Sequence, residues 1–121
     1  MAKIFLIDDD SSIVTLFDKF LTVLGHEIVA KAYNGEEAVK LFNEFKITPD
    51  LILMDHRMPK KDGLTAAKEI LSTNNKSKII FFSADYSIKE KALSLGAKYF
   101  LEKPFKLATL VQVINKIISE D

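Results

Sequence analysis

Short apolar runs alternate with amphipathic segments along the whole chain, and this alternation restricts the fold more than any other feature. Each amphipathic segment has apolar residues three or four positions apart, which is the spacing of a helix with one buried face. Strand–helix pairs joined by short connections predict an α/β fold, a doubly wound parallel sheet. The predicted strands are Ile4–Ile7, His26–Ala32, Leu51–Met54, Lys78–Phe82 and Tyr99–Leu101.

Capping residues predict where the helices begin and end. Ser11 or Ser12 is expected to cap the first helix, and Asn34 the second, because short polar side chains accept the unpaired N–H groups of a first turn. Ser87 opens a Ser-x-x-Glu capping box that is expected to start the fourth helix. Gly96 is expected to end that helix, since glycine accepts the left-handed backbone common after a helix.

Length and composition indicate one globular domain over residues 1–121, with 48% hydrophobic and 28% charged residues. The net charge is zero, so there is no electrostatic case for direct nucleic-acid binding. With no cysteine, the chain can form neither disulfides nor thiolate metal sites. No apolar run approaches membrane-spanning length, and the first residues are too acidic for a signal peptide. These features predict a soluble, cytoplasmic protein without a membrane partner.

Carboxylates follow two of the predicted strands at the point where each strand ends. Asp55 directly follows the apolar run of the third strand, while Asp8, Asp9 and Asp10 follow the first. Open α/β sheets place their ligand sites at the carboxyl ends of the strands. Acids that converge there need a counter-charge, and a hard divalent cation such as Mg²⁺ is the obvious one.

Two further polar side chains follow the fourth and fifth predicted strands. Ser83 follows the fourth strand and Lys103 follows the fifth. Acids, a hydroxyl and an ammonium at one sheet edge suit phosphoryl transfer, in which an ionised aspartate such as Asp55 becomes an aspartyl phosphate. Mg²⁺ on Asp8 and Asp9, together with Lys103, would neutralise charge on the transferring oxygens.

These motifs resemble the receiver domain of two-component response regulators, over a span from Ile4 to about Ile118. The resemblance implies a flavodoxin-like (βα)5 fold with strand order 2-1-3-4-5. It also implies a signalling protein, not a turnover enzyme, that catalyses its own phosphorylation and dephosphorylation. The chain would be a stand-alone, chemotaxis-type regulator or an excised receiver. The matching motifs are Asp8-Asp9, Met54-Asp55 with Met58-Pro59 and Asp62-Gly63, Ser83-Ala84, and Lys103-Pro104-Phe105.

The same resemblance assigns roles at the site. Asp55 would accept phosphate from a histidine kinase and share the metal. Asp8, Asp9 and the backbone carbonyl of Arg57 would complete the Mg²⁺ ligands. Lys103 would pair with the phosphoryl group and would be joined to Pro104 by a cis peptide bond.

The resemblance also implies a switch. Ser83 would turn towards the phosphoryl group and Phe100 would turn inward when Ser83 moves. The face made by helix 4, strand 5 and helix 5 would change and bind a downstream protein, an effector domain or a second copy of the chain. Arg57 and Asp85 occupy positions that tune hydrolysis of the aspartyl phosphate, and their opposite charges could pair over the site and slow its decay.

Two other interpretations stay open from the residues. Asp8-Asp9-Asp10-Ser11 resembles the opening motif of haloacid-dehalogenase-type phosphatases, in which Asp8 would be the nucleophile and Asp10 the acid/base. That interpretation lacks an acidic pair soon after Lys103 and leaves Asp55 without a role. A flavin-binding, flavodoxin-like module would need an anion-friendly loop where this chain places three aspartates.

Overall fold

The computed structural model describes residues 1–74 and 76–120, so Asn75 and Asp121 of the predicted domain lie outside the described residues. All strand pairs of the sheet are parallel, and the strand order is β2-β1-β3-β4-β5. The predicted fold class and strand order are therefore confirmed. The strands are β1 Lys3–Ile7, β2 Glu27–Ala32, β3 Leu51–Asp55, β4 Lys78–Ser83 and β5 Tyr99–Glu102.

Helices cover both faces of this sheet. One hydrophobic cluster joins the sheet to α1 and α5, and a second joins the opposite face to α2, α3 and α4. A short 3-10 turn, Tyr86–Ile88, precedes α4. The helices are α1 Ser11–Val23, α2 Gly35–Glu44, α3 Gly63–Thr73, α4 Lys89–Leu95 and α5 Leu107–Ser119.

The central strand β3 is buried along its entire length. Its side chains alternate, so that Leu51 and Leu53 pack towards α1 and α5 while Ile52 and Met54 pack towards α2 and α3. A strand covered on both faces reads as a continuous apolar run. Asp55 is the last residue of this buried strand, so it lies at the carboxyl edge of the sheet.

Two predicted helix starts are wrong, for the same physical reason. The α1 cap is Asp10, whose Oδ1 accepts from the Ser12 N–H at 2.9 Å, so neither serine is the cap. Asp85 likewise caps the 3-10 turn by accepting from the Ser87 N–H at 3.0 Å, and α4 begins at Lys89 without a side-chain cap. In both places an aspartate just upstream reaches the free N–H groups first.

The other two predicted helix boundaries are confirmed. Asn34 caps α2 by accepting from the Glu37 N–H at 2.8 Å. Gly96 ends α4 with a left-handed φ of 118°. Within residues 1–74 and 76–120, no helix has both the length and the hydropathy needed to cross a membrane.

Candidate functional site

The predicted site residues come together at the carboxyl edge of the sheet. Asp8 follows β1, Asp55 ends β3, Ser83 ends β4 and Lys103 follows β5. The Lys103 Nζ lies 3.0 Å from Asp55 Oδ1 and 4.0 Å from Asp8 Oδ2. Residues that are far apart in sequence thus form one ionic cluster, as expected where parallel strands end side by side.

Three carboxylates of this cluster are close enough to share a cation. Asp8, Asp9 and Asp55 each offer an oxygen, and these oxygens lie within 4.8 Å of one another. Asp8 and Asp55 are buried, whereas Asp9 is exposed. Asp10 does not join them, because its carboxylate caps α1.

Asp8 is the least satisfied member of the cluster. Its Oδ1 accepts from the Asp10 N–H at 2.9 Å, but its buried Oδ2 has no hydrogen-bond partner in the described part of the chain. Burial raises the pKa of Asp8 to about 7, and the negative charge of Asp55 adds to this rise. The Asp10 N–H and the Lys103 ammonium act in the opposite direction.

These residues fit a divalent cation. A buried carboxylate oxygen without a partner is uncommon and calls for an explanation such as a bound ion. The donor set consists of one carboxylate oxygen each from Asp8, Asp9 and Asp55, and oxygen ligands are those that Mg²⁺ prefers. The backbone carbonyl of Arg57, two residues after Asp55, remains a predicted further ligand.

Close packing of two glycines positions the loop that carries Arg57. A Cβ added to Gly63 would lie 2.2 Å from the Asp55 carbonyl oxygen, and one added to Gly35 would lie 2.1 Å from the Lys61 carbonyl oxygen. The Gly35 N–H donates to that Lys61 oxygen at 3.0 Å. The N-terminal ends of α2 and α3 therefore pack closely against the backbone of the β3–α3 loop. Sequence reasoning missed this close approach.

Lys60 in this loop has a left-handed backbone, with a φ of 68°. A side chain is disfavoured there by roughly 1–2 kcal/mol, whereas glycine carries no such cost. Glycine loses more conformational entropy than lysine on folding, which offsets part of this gain. We therefore expect Lys60→Gly to raise the free energy of unfolding by about 0.5–1 kcal/mol, measured by urea denaturation. The control is Lys46→Gly, an exposed lysine without a positive φ, which should be neutral or destabilising. Equal effects of the two variants would contradict the strain at Lys60.

Ser83 is buried and tied to the turn that precedes α4. Its Oγ accepts from the Asp85 N–H at 3.0 Å, and its carbonyl oxygen accepts from the Lys103 N–H at 2.9 Å. Phe100, on the neighbouring strand β5, is also buried. Its ring meets the Tyr86 ring edge to face, with 6.1 Å between the centroids. The Lys103–Pro104 bond is cis, as the resemblance implied.

The expected pairing of Arg57 with Asp85 is not formed as an ion pair among the residues that the structure describes. The Asp85 carboxylate is held by the N–H and hydroxyl of Ser87. These hydrogen bonds lower the pKa of Asp85, and the positive charge of Arg57 adds a smaller effect. The two charges thus interact at a distance, without direct contact.

Sequence reasoning also missed a contact beneath Lys103. The Lys103 Nζ lies 5.2 Å from the centroid of the Phe82 ring, a cation–π arrangement. Phe82 reads in sequence as an ordinary core residue, and its adjacency to Ser83 was the one available signal.

Comparison with known proteins agrees with this architecture. A sequence model of the response regulator receiver domain matches residues 4–115. The chemotaxis protein CheY of Thermotoga maritima is 38% identical over 120 residues, which cover 97% of this chain and 98% of that protein. The CheY of Bacillus subtilis is 39% identical over 122 residues, which cover 98% of this chain and 100% of that protein.

Solved structures are similar over nearly the whole chain. A chain of the CheX–CheY–BeF3–Mg²⁺ complex from Borrelia burgdorferi superimposes with a TM-score of 0.90 at 28% identity, covering 96% of this chain and 88% of that chain. The response regulator TrrA of Thermotoga maritima, in complex with Mg²⁺ and beryllium fluoride, gives a TM-score of 0.84 at 32% identity. That match covers 97% of this chain and 99% of TrrA.

Proposed function

The chain belongs to the response regulator receiver domain family, and from this premise we propose that Asp55 accepts a phosphoryl group from a histidine kinase in a Mg²⁺-dependent reaction. The observation that carries the proposal is the ionic cluster at the sheet edge. Asp55 Oδ1 is 3.0 Å from the Lys103 ammonium, and the Asp8 and Asp9 carboxylates are beside it. The protein acts in phosphorelay signalling as an acceptor and does not turn over a substrate.

In this reaction a carboxylate oxygen of Asp55 attacks the phosphorus of a phosphohistidine. An O–P bond forms and the N–P bond breaks, and the imidazole nitrogen leaves with the electron pair. The Lys103 ammonium lies 3.0 Å from Asp55 Oδ1 before transfer, and it would balance charge on the phosphoryl oxygens afterwards. Reaction of the aspartyl phosphate with water in the same site then restores the carboxylate and releases inorganic phosphate.

The residues that would hold Mg²⁺ are Asp8, Asp9, Asp55 and the Arg57 carbonyl, and the ion would supply positive charge near the transferring oxygens. This assignment is supported by Asp8 Oδ2, which is buried and has no hydrogen-bond partner among residues 1–74 and 76–120. It is also supported by the chemistry of two similar solved proteins, which are complexes with Mg²⁺ and beryllium fluoride.

We further propose that the phosphoryl group shifts the protein between two states through Ser83. If the Ser83 hydroxyl turns to the phosphoryl oxygens, it gives up its contact with the Asp85 N–H and frees the turn before α4. Phe100 is coupled to that turn through Tyr86. A ligand that binds one state better shifts the population, so the α4–β5–α5 face would change for a downstream protein, an effector domain or a second copy.

Intact-mass analysis after incubation with acetyl phosphate tests the proposal. We expect one phosphoryl adduct on the wild type. It should form in the presence of Mg²⁺ and should not form when a chelator removes the ion. Borohydride should reduce the acyl phosphate and leave homoserine at position 55, which peptide mapping locates. A wild type without an adduct, or with an adduct mapped elsewhere, would contradict the proposed role of Asp55.

Arg57 is expected to prolong the life of the aspartyl phosphate. Its charge and that of Asp85 are opposite, and we propose that the two side chains approach one another over the aspartyl phosphate and restrict the access of water. We expect the phosphoryl group to decay a few-fold faster in Arg57→Ala than in the wild type, measured by release of inorganic phosphate. Arg57→Lys keeps the charge and should resemble the wild type. Equal or slower decay in Arg57→Ala would remove this role.

A further inference from the structure

We propose that Phe82 is a positioning residue for Lys103. The face of its ring would hold the Lys103 ammonium over the site, where it can serve both Asp55 and the incoming phosphoryl group. This inference rests on the proposed function of Asp55 and extends it to a residue with no polar group of its own.

The geometry starts from the ring. Phe82 is 1% exposed, and the Lys103 Nζ lies 5.2 Å from its centroid. The same nitrogen is 3.0 Å from Asp55 Oδ1 and 4.0 Å from Asp8 Oδ2. The ammonium therefore has carboxylates on one side and an aromatic face on another, within the 6 Å range in which the ring quadrupole attracts a cation.

The Phe82 ring is itself held in orientation by two other rings. Phe17 from α1 meets it at 5.9 Å with an interplanar angle of 79°, and Phe105 meets it at 6.0 Å and 66°. Edge-to-face contacts of this kind are favourable and directional. A ring fixed by neighbours on two sides presents a constant face to Lys103.

Lys103 needs such a support because its side chain is only partly buried. The lysine ammonium is a strongly hydrated point charge on a flexible stem, and 34% of this side chain is exposed. The carboxylates attract the Lys103 ammonium. A divalent cation on the same oxygens would, however, share their negative charge and weaken that attraction. The attraction of the neutral ring is unaffected by that competition.

Fluorinated phenylalanines at position 82 test the electrostatic contribution of the ring. Successive fluorines weaken the negative face with little change in shape. We expect the rate constant for phosphorylation by acetyl phosphate to fall stepwise with fluorine number, by about three- to tenfold in total. The melting temperature should follow no such graded decrease. A rate constant that is independent of fluorine number would overturn the proposal.

Phe17 provides the matched control. It belongs to the same ring cluster and contacts Phe82, whereas the cation–π contact of Lys103 is with Phe82. The same fluorine series at position 17 should lower the phosphorylation rate constant much less, because Phe17 can act on Lys103 only through the orientation of Phe82. An equal decrease at both positions would mean that ring packing, and not the attraction of Lys103, sets the rate, and the proposal would fail.

A second measurement is independent of phosphorylation. In the wild type the Phe82 ring current should shift the NMR signals of the Lys103 Cε protons upfield. This shift should disappear in Phe82→Leu and persist in Phe17→Leu; its absence from the wild type would overturn the contact. The NMR measurement needs no phosphoryl donor, so it decides whether Phe82 holds Lys103 even if the wild type forms no adduct. The missing adduct would contradict only the proposed function of Asp55.

Discussion

Asp55→Asn is expected to lose the phosphoryl adduct completely while keeping the fold. The amide has nearly the shape of the carboxylate but carries no anion to attack phosphorus. Its carbonyl oxygen can still accept from the Lys103 ammonium, which lies 3.0 Å from the present Oδ1. Intact mass after acetyl phosphate and Mg²⁺ measures the loss, and circular dichroism with a thermal melt checks the fold.

Asp50→Asn is the matched control for this loss. Asp50 lies just before β3, at the opposite edge of the sheet, where its Oδ2 accepts from the Lys3 N–H at 2.8 Å. The same chemical change there should leave the adduct at the wild-type level. A full adduct on Asp55→Asn would show that another residue accepts the phosphoryl group.

The phosphatase interpretation makes the opposite prediction for Asp8. Turnover of p-nitrophenyl phosphate that survives Asp55→Asn and disappears in Asp8→Asn would favour it. The structure gives that chemistry little support. Asp10, its acid/base, is engaged as the α1 cap by the Ser12 N–H.

The fold was predictable because a parallel sheet leaves a strong trace in sequence. Strand β3 is buried on both faces, so its apolar run is continuous, and the amphipathic segments between the strands have helical spacing. Helix starts were less predictable because neighbouring residues compete for the same role. Asp10 and Ser11 can both cap a helix, and the choice depends on where the chain leaves β1.

The site was predictable as far as strand ends determine it. Asp55, Asp8 and Lys103 converge because the carboxyl ends of parallel strands meet. The burial of each side chain was not predictable in the same way. Asp8 and Asp9 are adjacent acids in sequence, yet Asp8 is buried and Asp9 is exposed. The contact of Lys103 with Phe82 depends on the path of a long side chain through space, which no local pattern records.

The raised pKa of Asp8 predicts an unusual pH dependence of stability in the absence of metal. A carboxyl group whose pKa is higher in the folded state than its ordinary value of 3.8 binds a proton more readily when folded. Its contribution to stability is therefore fully present below pH 3.8 and is lost as the pH rises to about 7. We expect the free energy of unfolding to lose about 2–4 kcal/mol through this group over that range.

Asp8→Asn isolates this contribution from the other titrating groups. The amide cannot ionise, so the variant should lack this loss and be more stable than the wild type at pH 8, with the difference shrinking towards pH 4. Urea denaturation of both proteins in a chelator, at pH values from 4 to 8, measures the difference.

Mg²⁺ should offset this loss of stability in the wild type far more than it stabilises Asp8→Asn. A ligand that binds only the folded state stabilises it in proportion to the logarithm of its concentration over its dissociation constant. The ion would bind the ionised Asp8, so stabilisation by Mg²⁺ should grow as the pH rises towards 8 and should be much smaller in Asp8→Asn. If the free energies of unfolding of the wild type and the variant change in parallel with pH in the chelator, the pKa of Asp8 is not raised in the folded state. If Mg²⁺ stabilises both proteins equally, Asp8 is not a metal ligand, and the unsatisfied Oδ2 needs another explanation.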